Sequence, residues 1–181
     1  AMATYVRFER KDGSAGAGLL EGDAIHAIKE PFWEQTERTG EQLALAEVRL
    51  LPPSQPRNIV CVGLNYGSHL NGRPVPDPPT LFFKPLGSIA GHEDSIVLPE
   101  GAGRVDPEGE IVIVIGKRVK GASREEGLAA IFGYTCGNDV SHRDQQAKDG
   151  QWVRAKGYDT FCPLGPWIET QIDLEDAAVT G

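Results

Sequence analysis

Between two glycines, Gly109 and Gly116, the chain places Glu110 and then an unbroken β-branched run, Ile111-Val-Ile-Val-Ile115. Branching at Cβ costs rotamer freedom in a helix and packs well on a pleated surface, so this run predicts a strand. The remainder of the chain must supply a sheet for it. Gly (22) and Pro (13) in 181 residues are too many for a helical bundle and too few for low complexity, which points to a turn-rich, mixed α/β and β-dominated domain. With 18 Lys plus Arg against 26 Asp plus Glu, the net charge of -8 and the lack of a polybasic stretch exclude nucleic acid as the expected partner. No uninterrupted apolar stretch is longer than the run Ile111–Ile115, far short of the ~20 residues that span a bilayer. Ala1 to Phe8 contains no continuous apolar segment of the kind that directs secretion. The expectation is a soluble, cytoplasmic protein with no membrane partner. Cys61, Cys136 and Cys162 are odd in number and form no CxxC pair, so they read as reduced, buried thiols.

Short alternating runs broken by Asp12-Gly13 and Gly22-Asp23 predict hairpins over Tyr5 to Ile28. Gly16-Ala-Gly18 is not a dinucleotide loop, because Glu21 stands where the third glycine would be and no helical pattern follows. Gln42 to Val48 has helical composition, and Leu51-Pro-Pro-Ser-Gln-Pro56 then reads as a linker, since successive prolines force extended backbone. Asn58-Ile-Val-Cys-Val-Gly63 predicts a buried strand, and Thr80–Lys84, Ser95–Leu98 and Gly133–Cys136 predict further strands. Ser123 and Glu126 have the spacing of a capping box, predicting a helix over Ser123–Phe132 with Leu128, Ile131 and Phe132 on its apolar face.

Asp106, Glu108 and Glu110 occupy alternate positions, so an extended backbone points them to one face, where they repel unless positive charge offsets them. A solvated acidic edge accounts for the triplet alone. Asp139, in Gly137-Asn-Asp-Val140 beyond the next strand, adds a third acidic element at a strand end. Hard oxygen donors with water suit Mg²⁺, Mn²⁺ or Ca²⁺, and no Cys or His cluster favours zinc. Arg143 and Gln146 can clamp an oxyacid, although a lone Arg near acids also serves as a salt-bridge partner. Lys156 beside Gly157 can stabilise an enolate or simply be a surface lysine, and His69 in its Gly-Ser turn is either a general base or a surface residue.

Taken together, Val105-Asp-Pro-Glu-Gly-Glu-Ile-Val-Ile-Val-Ile-Gly116, Gly133-Tyr-Thr-Cys-Gly-Asn-Asp-Val-Ser-His-Arg-Asp-Gln145, Trp152-Val-Arg-Ala-Lys-Gly157 and Phe161-Cys-Pro-Leu-Gly-Pro-Trp167 resemble the fumarylacetoacetate hydrolase family, as does Val62-Gly-Leu-Asn-Tyr-Gly-Ser-His69. The likeness covers about Arg57 to Asp176 and is to the short bacterial-type members, acylpyruvate hydrolases and 2-hydroxyhepta-2,4-diene-1,7-dioate isomerases. It implies a β-roll catalytic core over 57–181, a small N-terminal α/β segment with its linker over 1–56, a homodimer, and a divalent ion, Mg²⁺ or its relatives. Carried over by residue, Glu108, Glu110 and Asp139 match the metal ligands, His69 and Lys156 the catalytic groups, and Arg143 and Gln146 the substrate contacts. Asp106 is not among the matched ligands. The implied activity is C–C hydrolysis or isomerisation of small 2-oxo or acylpyruvate-type acids in aromatic catabolism, through an enolate that the metal stabilises. Hydrolytic members commonly carry a glutamate three residues after the histidine, and here that position is Gly72. Its absence raises oxaloacetate-type decarboxylation as an alternative, with Asp77 or Glu93 as substitutes from elsewhere, and a catalytically silent metal-binding relative as another. Family members continue past the equivalent of Gly181 with closing strands, so the core is expected to be C-terminally incomplete.

Overall fold

Glycine turns fold the first part of the chain into an antiparallel meander. The computed structural model describes residues 2–175 and 177–180, apart from the side chain of Ser68. Asp176, where the family likeness ends, and Gly181 lie outside the described residues. Strands β1 (Thr4–Glu9), β2 (Ala15–Glu21), β3 (Ala24–Ile28) and β4 (Arg38–Ala44) pair in order, each antiparallel to the last. Gly22, at φ +61°, makes the two-residue turn between β2 and β3 in a conformation that a side chain would strain. The segment Gln42–Val48, read as helical, is instead the end of β4 followed by a single 3₁₀ turn, Leu45–Glu47. The edge of β3 offers Gln42 and Leu43 backbone partners that local helix propensity does not match. Next, β5 (Arg49–Leu51) pairs with β1, so Leu51 belongs to the sheet, and Pro53 beyond it is fully buried. The proline stretch is thus packed against the meander, with the Pro52 carbonyl accepting from Arg7 Nη1 at 3.2 Å.

Strand β6 (Ile59–Gly63), the short helix α1 (Gly67–Leu70) and strand β7 (Thr80–Lys84) form a unit in which β6 and β7 make a separate two-stranded sheet. Only one face of it is covered: Val60, Val62, Leu81 and Phe83 are exposed, so β6 is not the buried strand its composition suggested. After β8 (Ile89–Ala90), Ser95–Leu98 is not a strand. It is held by Val97 N–H donating to Thr160 Oγ1 at 2.8 Å, and among the described residues no strand pairs with it.

Strand β9 (Val105–Asp106) leads into β10 (Gly109–Ile115), which lies at one end of the main sheet. Helix α2 (Arg124–Leu128) has the expected capping box but ends well before Phe132. Ile131 begins β11 (Ile131–Asn138), because the edge of β10 is available and Gly116 N–H bonds the Ala130 carbonyl at 2.9 Å. Phe132 therefore packs against Tyr5, edge to face at 4.9 Å, in a core cluster with Phe32, Ile28 and Ile168. Then follow β12 (Ser141–His142), α3 (Arg143–Asp149), α4 (Val153–Lys156) and β13 (Cys162–Glu169). The main sheet has nine strands, running β10-β11-β13-β1-β2-β3-β4, with β5 added to β1 and β8 to β13. Period-2 alternation along β1 sends Tyr5 to the aromatic cluster and Val6 and Phe8 to a second one with Ile25, Ala27 and Leu50. No described helix is long and apolar enough to cross a membrane.

Candidate metal centre

Strand pairing does the assembly. In the β10–β11 ladder Gly109 faces Asn138 and Glu110 faces Gly137, and just beyond it Asp139 N–H donates to the Glu108 carbonyl at 2.8 Å. Asn138 Oδ1 accepts from Glu108 N–H at 2.9 Å, pinning the turn between β9 and β10. Carboxylate oxygens of Glu108, Glu110 and Asp139 consequently lie within 4.8 Å of one another. Two are half-buried and Asp139 is buried. The octahedral ligands of a small divalent ion stand about 3 to 4 Å apart, and all three donors are hard oxygens, so these residues fit such an ion.

Positive charge offsets the repulsion that their spacing implies. Lys156 Nζ, brought in by α4 and buried, donates to Glu108 Oε2 at 2.7 Å, Asp139 Oδ2 at 2.6 Å and Ser141 Oγ at 2.6 Å, with the Phe82 ring 5.1 Å away. Lys84, at the end of β7, puts its buried Nζ 2.6 Å from Asp139 Oδ1. Arg143 directs three of its five N–H donors to Asp106 Oδ2 (Nε, 2.8 Å), Glu108 Oε1 (Nη2, 2.6 Å) and Gln146 Oε1 (Nη1, 3.0 Å). Arg143 and Gln146 are therefore joined at the rim of the cluster. Asp106 faces Arg104 and Arg143 rather than the three carboxylates, and hydrogen bonds from these two guanidinium groups hold it at about 2. Burial would push Glu108 up, but hydrogen bonds from Lys156 and Arg143 outweigh it and hold the carboxyl at about 2. Glu110 goes the other way. Burial raises it, against a hydrogen bond from Tyr66 Oη at 3.0 Å, and it makes no ion pair among the described residues.

His69 is exposed on α1 and meets the Tyr66 ring edge-on at 5.8 Å, so the same tyrosine touches both the histidine and the carboxylate cluster. Among the described residues no carboxylate pairs with His69, Asp77 and Glu93 included. Sequence reasoning missed Lys84, Tyr66 and Ser141. A charge closing the apolar run Leu81-Phe-Phe-Lys84 was a signal for the first, and Tyr66 lay inside the motif that singled out His69. Ser141 lay inside the Gly133–Gln145 motif, with no charge to single it out.

Residues 58–180 match the family model described as fumarylacetoacetate (FAA) hydrolase C-terminal, and residues 4–53 match the one described as Rv2993c-like, N-terminal. Protein Rv2993c of Mycobacterium tuberculosis is 47% identical over 176 residues, which make up 96% of this chain and 65% of that protein. The chain thus spans just under two thirds of that relative. The structure of 5-carboxymethyl-2-hydroxymuconate delta-isomerase from Mycobacterium smegmatis superposes with a TM-score of 0.87 at 44% identity, over 94% of this chain and 68% of that one. Maleylpyruvate hydrolase from Sphingobium sp. SYK-6, solved in complex with manganese(II) and pyruvate, gives a TM-score of 0.68 at 28% identity, over 92% and 67% of the two chains.

Proposed function

The chain belongs to the fumarylacetoacetate hydrolase family, and from this premise we propose that it carries the metal-binding centre of an enzyme for small 2-oxo acids of the acylpyruvate type. The observation that carries the reading is the convergence of Glu108, Glu110 and Asp139 with a buried Lys156 Nζ among them. These three carboxylates would hold Mg²⁺ or Mn²⁺, and the manganese in the maleylpyruvate hydrolase structure supports a divalent ion. When bound, the ion supplies Lewis acidity toward the adjacent oxygens of a 2-oxo acid. The Lys156 ammonium adds a fixed positive charge where negative charge grows on the substrate oxygen. Arg143 and Gln146 orient the substrate carboxylate from the rim, and His69 moves the proton at the reacting carbon.

Hydrolysis also needs an activated water, and His69 has no carboxylate to orient it among the described residues. That observation favours proton transfer or decarboxylation over C–C hydrolysis. The test is turnover of acylpyruvates and oxaloacetate with Mg²⁺ or Mn²⁺, followed by loss of the ultraviolet enol band and by proton NMR of the products. A shifted double bond or loss of carbon dioxide is expected. Two acids from one substrate would restore hydrolysis, and no turnover of any substrate with metal bound would refute the enzymatic reading.

A further inference from the structure

Both oxygens of Asp139 are taken by lysines, and the two lysines are not equivalent. Lys156 Nζ donates to Asp139 Oδ2, Glu108 Oε2 and Ser141 Oγ, so it sits against ligand atoms of two of the three carboxylates. Lys84 Nζ touches Asp139 Oδ1 at 2.6 Å and the Val140 carbonyl at 3.5 Å, with no contact to either glutamate. Its side chain is 1% exposed, which makes it the more enclosed of the two ammonium groups. It is also anchored at the backbone, since Lys84 faces Ile59 in the β6–β7 ladder. Withdrawing Nζ from Oδ1 would leave the buried Lys84 ammonium without a carboxylate partner, while Asp139 would keep Lys156 on Oδ2, and an uncompensated buried charge is strongly unfavourable. Lys156 can yield an oxygen to an arriving cation and keep other partners. Lys84 cannot.

We propose that Lys84 is a specificity-determining positioning residue: by occupying Oδ1 of Asp139 it leaves that carboxylate one oxygen to offer, and so selects small octahedral ions over calcium. Mg²⁺ and Mn²⁺ take single oxygens from each carboxylate in a six-fold shell. Ca²⁺ takes six to eight oxygens and gains from carboxylates that bind through both. A charged amine fixed on one oxygen denies Asp139 the second mode. The inference rests on the metal-centre reading above and names the residue that sets its selectivity.

Calorimetric titrations of the wild type and of Lys84→Met with Mn²⁺ and with Ca²⁺ at pH 8 test it. Loss of a nearby positive charge tightens both ions, whereas freeing Oδ1 helps calcium more. The ratio of calcium to manganese affinity should therefore rise by about fivefold or more in Lys84→Met. An unchanged ratio would overturn the proposal, because a purely structural or purely electrostatic role moves both ions alike. Wild-type protein that binds neither ion would refute the metal centre itself, a distinct outcome. Should Lys84→Met fail to fold, infrared difference spectra of wild-type protein labelled with ¹³C-aspartate decide the matter. Calcium loading should give the wide carboxylate splitting of one-oxygen binding, and the narrow splitting of two-oxygen binding would sink the idea.

Discussion

Glu108 and Glu110 are two positions apart and turn toward one cluster, yet their surroundings pull them in opposite directions. Glu108 takes hydrogen bonds from Lys156 and Arg143, while Glu110 has a tyrosine hydroxyl. Glu108→Gln keeps the shape and removes the charge, so it should abolish Mn²⁺ binding, and a calorimetric titration matching wild type would refute Glu108 as a ligand. The thiols separate as sharply. Burial, with the Asp139 charge adding to it, pushes Cys61 up to about 12, and burial pushes Cys162 to about 11, whereas Cys136 is exposed; Cys61 is half-buried, so of the three thiols expected to be buried only Cys162 is. Cys136 lies on β11 opposite Ile111, on the open face of β10. At pH 8 iodoacetamide should modify Cys136 and spare the other two until the chain unfolds, which peptide mass mapping would show. Because buried thiols stay neutral in the fold and ionise above ~8.5 once exposed, their contribution to stability is complete below that pH. It should be lost as pH rises toward 11 to 12.

At the scale of elements, β10 shows what alternation does at a sheet edge. Ile111, Ile113 and Ile115 face outward, with Ile113 53% exposed, while Val114 turns inward against the Tyr5 and Ile168 cluster. Val114→Ala should cost about 1 to 2 kcal/mol in urea unfolding, and Ile113→Thr less than about 0.5 kcal/mol. Equal costs would mean that the outward face is covered in solution. The existence of β10 was legible from its β-branched run, and so were the hairpins, from their glycine turns. The extent of α2 was not, because Ile131 and Phe132 fit a helical face as well as a strand until the free edge of β10 decides between them. Gln42–Val48 misleads for the same reason, a neighbouring strand overriding local preference. In the centre, Glu108 and Glu110 were legible from a two-residue spacing that also picked out Asp106, and Asp139 from its place beyond the next strand. Lys84 was hidden because it lies 55 positions from the aspartate it grips.

On the scale of the whole molecule, the exposed residues Val60, Val62, Leu81 and Phe83 of the small sheet and the outward isoleucines of β10 are apolar surfaces without a cover among the described residues. The homodimer implied by the family likeness predicts a species near twice 19.5 kDa in sedimentation velocity, and a monomer at every concentration would exclude it. Mn²⁺ held by the three carboxylates at a hundred times its dissociation constant would add about 2.7 kcal/mol to the folded state. For a chain of this size that should raise Tm by roughly 5 to 10 °C, reversibly with a chelator, and no shift would contradict binding to the native protein.

The place of β13 has a consequence in time. One edge of β1 is bonded by β2 within a few residues, but part of its other edge waits for β13, with Thr4 Oγ1 donating to Glu169 across 165 positions. A ribosome adding about 5 to 20 residues each second leaves that edge of the newborn meander bare for on the order of ten to thirty seconds. During synthesis, that edge of β1 stays open to other chains until its own partner strand arrives.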